Sequence, residues 1–140
     1  MNNAIHAPSS LPTIGRILMA AIFLISGVGK LAAPAATIGY IGAMGLPLPA
    51  LAFAAALVVE IGGGLALAFG FQTRLTALAL AGFSIVTGLL FHHAIGDQNQ
   101  MIHLLKNFAM ACGLLQVVAS GAGAYSLDNR KAAPAPVRAA

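Results

Sequence analysis

Four apolar stretches divide this chain of 140 residues, at approximately 14–31, 50–71, 75–93 and 100–121. Each comes near the roughly 20 residues that a helix needs to cross the hydrocarbon core of a bilayer. None alternates apolar and polar positions with a period of two, and the runs are rich in Ala, Leu and Gly. That pattern fits helices and not strands.

Composition closes off a soluble bundle. Only 7% of the residues are charged and 59% are hydrophobic, whereas soluble domains carry about 25% charged residues to hydrate their surfaces. The expected fold is all-α: an integral membrane four-helix bundle of antiparallel hairpins over residues 13–124. Residues 1–12 and the tail 125–140, ending in KAAPAPVRAA, read as disordered flanks. The first stretch reads as a span and not a cleaved signal sequence. No Lys or Arg precedes Arg16, and Pro34 suits a cleavage region poorly.

The connections carry turn chemistry. Pro47 and Pro49 rigidify the approach to the second helix, and Gln72-Thr73 forms a tight hairpin with Thr73 as N-cap of the third. Asn99, in the polar loop before the fourth helix, is the expected cap there. The net charge of +4 comes from scattered cations with no aromatic interleaving, which excludes nucleic-acid binding. The cations instead set topology. Arg16, Arg74, Arg130, Lys131 and Arg138 fall on one side, against Lys30 and Lys106 on the other. The positive-inside rule then puts both termini in the cytoplasm of a bacterial-type cell, in a multi-pass inner-membrane protein. The single cysteine, Cys112, excludes an intrachain disulfide and a CxxC redox couple, and reads as a small packing residue. Gln116 and Ser120 are expected to bond between helices.

In that orientation the polar groups collect in the outer half. Lys30 closes the first helix, His92 and His93 close the third, and His103, Lys106 and Asn107 open the fourth, with spacing that places these last three on one face. Adjacent histidines diverge by about 100° on a helix, so His92 and His93 do not share a metal ion easily, and no metal site is assigned. No Walker loop, GxGxxG or nucleophile triad is present; the Gly62–Gly64 run lies inside a helix.

Glu60 is the one charge between Ala50 and Phe71. It costs about 2.5–3.5 kcal/mol to insert, which the ten Leu, Ile, Val and Phe residues of that stretch offset with about 3–6 kcal/mol. Ala56, Gly63, Gly64 and Leu67 share its face, and a stripe of small residues turns it into the bundle. Lys106 is the expected partner, with Lys30 as second choice. Two readings stand level: a structural ion pair fixing helix register, and a polar pocket opening toward the outer leaflet.

The segments GRILMAAIFLISGVGKL, VVEIGGGLALAFGFQTRLTAL and HLLKNFAMACGLL together resemble the DoxX family of small four-helix membrane proteins. The most specific features are S-G-x-x-K (Ser26, Gly27, Lys30), E-x-G-G (Glu60, Gly62, Gly63), T-R-x-x-A (Thr73, Arg74, Ala77) and K-N (Lys106, Asn107). The resemblance covers roughly residues 13–121. It implies a quinone-linked or redox-associated membrane subunit, with electrons delivered by another subunit because no haem, flavin or iron–sulfur motif is recognisable here. By the same analogy, Lys106 and His103 would hydrogen-bond the carbonyls of a quinone and Glu60 would relay a proton. The rival class is a non-catalytic membrane scaffold or small-molecule carrier.

Overall fold

The computed structural model describes residues 9–132, all helix, turn and loop. Four helices are long and apolar enough to span a membrane: α1 (Leu11–Ala32), α3 (Pro49–Phe69), α4 (Thr73–Phe91) and α5 (Gln98–Ser120). At 1.5 Å per residue, helices of 19–23 residues run about 29–35 Å, the thickness of a hydrocarbon core. They agree with the expected spans to within three residues at each end. Two further helices lie outside the expectation: α2 (Pro34–Ala43) and α6 (Leu127–Ala132).

Proline and glycine punctuate the elements. Pro12, Pro34 and Pro49 each stand in the first turn of a helix, where the missing N–H is one that the helix leaves unpaired anyway. Gly70 ends α3 in the left-handed region (φ 68°). A Cβ there would lie 2.5 Å from Ser126 Cβ and 2.7 Å from Arg16 Nη1, so both conformation and space require glycine.

The core is small and light: Ala20, Phe23, Leu67, Ala77, Leu80, Ala81, Ala111 and Leu114 pack together between α1, α3, α4 and α5. Large apolar side chains such as Leu18, Ile25, Val58 and Leu75 point outward. Between helices in lipid there is no hydrophobic driving force, so close backbone approach has to supply the attraction. Gly27 shows how close: a Cβ on it would sit 2.6 Å from Ile61 Cγ1 of α3. Gly63 and Gly64 likewise admit Leu80 of α4 and Leu24 of α1.

One end of the bundle is stitched by two charged side chains. Arg16, 1% exposed, donates from Nη1 to the carbonyls of Leu67 and Ala68 and from Nη2 to Tyr125 O at 2.8 Å. It caps the carbonyl end of α3 and anchors the chain that follows α5. Asp128 accepts from Gln72 N, Thr73 N and Thr73 Oγ1 at 2.7–2.8 Å, and its carboxylate also interacts electrostatically with Arg16.

Several expectations change here. Thr73 is not the N-cap of α4; Gln72 holds that position, and the cap is supplied by Asp128, 55 residues further on. Asp97, not Asn99, caps α5 by accepting from Gln100 N at 2.9 Å. Residues 125–132 belong to the folded unit, because Ser126 is buried and α6 carries the Asp128 cap. Leu11 and Pro12 are likewise helical. The disorder expected for 1–8 and 133–140 lies outside the described residues. Cys112 and Gln116 are exposed, and Ser120 bonds back to Gln116 O in its own helix instead of crossing to another.

Candidate functional site

At the opposite end, a cavity of about 510 Å³ opens between α1, α2, α3, α4 and α5. Its wall is mostly apolar, with Phe23, Ile41, Val59, Phe83 and Met110 among the lining residues. The polar groups in it are few. Ser26, Lys30 and Glu60 stand on one side; Ser84, Thr87, His92 and Asn107 come from α4 and α5.

Glu60 is 5% exposed. The small-residue stripe does turn it into the bundle, and it sits in a π-helical turn, Val58–Gly63, within α3. Such wide turns are uncommon and are found frequently at functional sites. The partner is Lys30, not Lys106. Lys30 Nζ reaches Glu60 Oε1 at 2.8 Å and Oε2 at 2.9 Å, and Ser26 Oγ at 2.8 Å. Ser26 Oγ in turn donates to Glu60 Oε1 at 3.1 Å. Ser26 and Lys30 are four apart on α1, which puts both on the face toward α3. The result is a closed, net-neutral triad with a bidentate ion pair, the arrangement that a low-dielectric site demands of its charges.

Lys106 fails as partner because of helix rotation. Asn107 lines the cavity, and one residue back turns the side chain about 100° away. Lys106 is accordingly exposed, so the expected common face of His103, Lys106 and Asn107 does not form. Asn107 packs where α4 lacks a side chain: a Cβ on Gly88 would lie 2.8 Å from Asn107 Cβ.

The histidines divide. His92 lines the cavity, its ring stacks on His103 with centroids 5.0 Å apart, and its Nδ1 lies 2.9 Å from Gln100 Oε1. His93 faces outward, with Nδ1 3.1 Å from Leu90 O. Of the seven candidates, the structure therefore brings Lys30, Glu60, His92 and Asn107 to one cavity, sets His103 behind His92, and leaves His93 and Lys106 outside. Tyr40 and Thr37 of α2, with Ser84 and Thr87 of α4, were not singled out from the sequence. Tyr40 stacks on Phe91 at 5.7 Å and ties α2 to the end of α4. The one available signal for α2 was Pro34 opening a ten-residue segment too short to span a bilayer.

The sequence profile of the DoxX family matches residues 11–93. The chain belongs to the DoxX family. This DoxX protein is 40% identical over 119 residues to the inner membrane protein YqjF of Escherichia coli (strain K12), covering 83% of this chain and 88% of the relative. It is 33% identical over 124 residues to the inner membrane protein YphA of the same organism, covering 84% and 87%. No solved structure matches it. With four bilayer-length helices and relatives of the inner membrane, this DoxX protein is a multi-pass inner-membrane protein in contact with lipid. The sequence features that carry the resemblance acquire physical roles in the geometry. Ser26, Lys30 and Glu60 form the triad, Gly27 and Gly63 permit close helix contact, Thr73 receives the Asp128 cap, and Asn107 faces the cavity.

Proposed function

We propose that this DoxX protein is a redox-associated inner-membrane subunit whose cavity takes the head group of a quinone-class molecule. The observation that carries this reading is the buried Glu60, held by the half-buried Ser26 and Lys30, in the wall of a cavity of about 510 Å³. That volume falls within the roughly 300–1,000 Å³ of small-molecule sites, which are mostly apolar with a few placed polar groups. An ionisable pair between two membrane helices is by default a pointer to function, such as a ligand or proton path. In this reading Glu60 exchanges the proton that accompanies quinone chemistry, and the electrons pass to or from a separate redox subunit. The assignment of Lys106 as a carbonyl donor is withdrawn, since its side chain is turned away from the cavity. His103 acts only by holding His92 in place.

The proposal includes an orientation. The hairpins run antiparallel with both termini cytoplasmic, and the Arg16–Asp128 end lies inside. Support comes from the cation count and from Arg16 and Arg74 lying near that end. A periplasm-dependent reporter fused after Ala140 is expected to stay silent; strong activity would reverse the orientation.

A scaffold or carrier remains the rival, favoured by the fact that the triad satisfies itself without a ligand. Organic extraction of protein purified in mild detergent separates the two. Quinone recovered at close to one per protein supports the proposal, and folded protein with none supports the rival.

A further inference from the structure

The polar atoms at the Glu60 end of the cavity have a definite hydrogen-bonding sense. A lysine ammonium carries three hydrogens. Those of Lys30 go to Ser26 Oγ, Glu60 Oε1 and Glu60 Oε2, at 2.8, 2.8 and 2.9 Å. The Ser26 hydroxyl hydrogen goes to Glu60 Oε1. Across the cavity, the Ser84 hydroxyl donates to Leu80 O at 2.9 Å and the Thr87 hydroxyl to Phe83 O at 2.8 Å. Every side-chain hydrogen of these five groups is spent within the protein.

What remains on them is lone pairs. A carboxylate offers about four acceptor positions and a hydroxyl two, and three of the former and one of the latter are used in the triad. The triad also carries no net charge. A cavity wall of this kind accepts hydrogen bonds from a neutral guest and has none to give. Thr37 likewise spends its hydroxyl on Ala33 O, so the lining side chains with hydrogens to spare are Tyr40 on α2, His92 just past the end of α4, and Asn107 on α5. A carbonyl or ether oxygen pushed against Glu60 would meet oxygen lone pairs, whereas a hydroxyl would find acceptors.

We infer that the Glu60 end of the cavity selects a neutral head group bearing a hydroxyl, so that of a quinone/hydroquinone couple it holds the reduced form. This rests on the quinone-class reading of the cavity and adds its polarity. The preference comes from leaving a buried oxygen unsatisfied when the hydroxyl is replaced.

The test uses the full chain, unsubstituted, in lipid nanodiscs without oxygen. Binding is measured for decylhydroquinone, its dimethyl ether and decylbenzoquinone, which share a ring and a tail. Decylhydroquinone is expected to bind at least about tenfold more tightly than the other two, the worth of one unmade hydrogen bond. Benzoquinone bound as tightly as hydroquinone would overturn the inference while leaving the quinone site intact. Saturable binding of none of the three would remove the quinone-class reading and the inference together. A second measurement sharpens the assignment to the triad: Glu60→Gln adds donor hydrogens at the same place, and is expected to narrow the hydroquinone preference several-fold. An unchanged preference in folded Glu60→Gln protein would move the selectivity away from Glu60 and contradict the inference.

Discussion

The two ends of the bundle each bury a charge in an apolar helix and treat it differently. Arg16 is 1% exposed and Glu60 5%. Arg16 is met by three backbone carbonyls contributed by α3 and the chain after α5, in a space so full that Gly70 has no room for a Cβ. Glu60 is met by two side chains of a neighbouring helix and borders an open cavity. A guanidinium fork with fixed donors suits the first job, because carbonyls at a helix end do not move. A compact ammonium and a hydroxyl suit the second, because they neutralise the carboxylate and still leave part of its acceptor capacity unused beside the cavity. Depth of burial alone does not separate a stitch from a site; the identity of the partners and the free volume beside them do.

The sharpest way to break this contrast is at the closed end. Arg16→Met strips three carbonyls of a charged donor, each such bond being worth about 1.5–3 kcal/mol, and is expected to lower membrane abundance severely. Arg16→Lys should not rescue it, since an ammonium lacks the fork. Normal abundance of the Met variant in a fractionated membrane would show that the end is not stitched through Arg16.

At the open end, Lys30→Met leaves Glu60 buried beside Ser26 alone. Breaking a dry pair costs about 3–5 kcal/mol, and less here because a stranded carboxylate can neutralise itself by binding a proton. Adding Glu60→Gln removes the second charge and should restore most of the lost thermal stability. A double-mutant cycle isolates that coupling. It should be clearly non-zero for Lys30 with Glu60 and zero for Lys106 with Glu60, and the opposite ranking would return Lys106 to the site. A smaller loss, about 1–2 kcal/mol, is expected for Asp128→Ala, which removes the cap of α4. Smallest of all is Lys106→Ala, with no measurable change in melting temperature.

Much of this division was legible in the sequence, but not its key pairings. The four spans follow from hydropathy because a bilayer fixes the length of any helix that crosses it. Glu60 stood out because charge in an apolar run is costly, and its small neighbours Gly63 and Gly64 gave its direction correctly. Its partner was not legible. Expected depth favours Lys106 over Lys30, but the choice between them depends on helix rotation and on the π-helical turn at Val58–Gly63, which carries no composition signal. Nor was the role of Asp128, since a cap supplied from 55 residues away leaves no local pattern. Arg16 read as a topology signal and turned out to be buried, because charge counting places a residue at a membrane face without saying what it touches. The wall formed by α2 was missed because ten residues opened by proline read as a connection.

The central claim, that the Lys30–Glu60 end serves a ligand and the Arg16 end serves the fold, is tested most directly on the double variant Lys30→Met with Glu60→Gln. Its melting temperature and its affinity for decylhydroquinone are measured together in nanodiscs against the unsubstituted protein. A melting temperature close to that of the unsubstituted protein with affinity reduced at least about tenfold, the loss of one or more charge-assisted hydrogen bonds, is the predicted result. Unchanged affinity would contradict the account, as would a collapse in stability as deep as that of Arg16→Met.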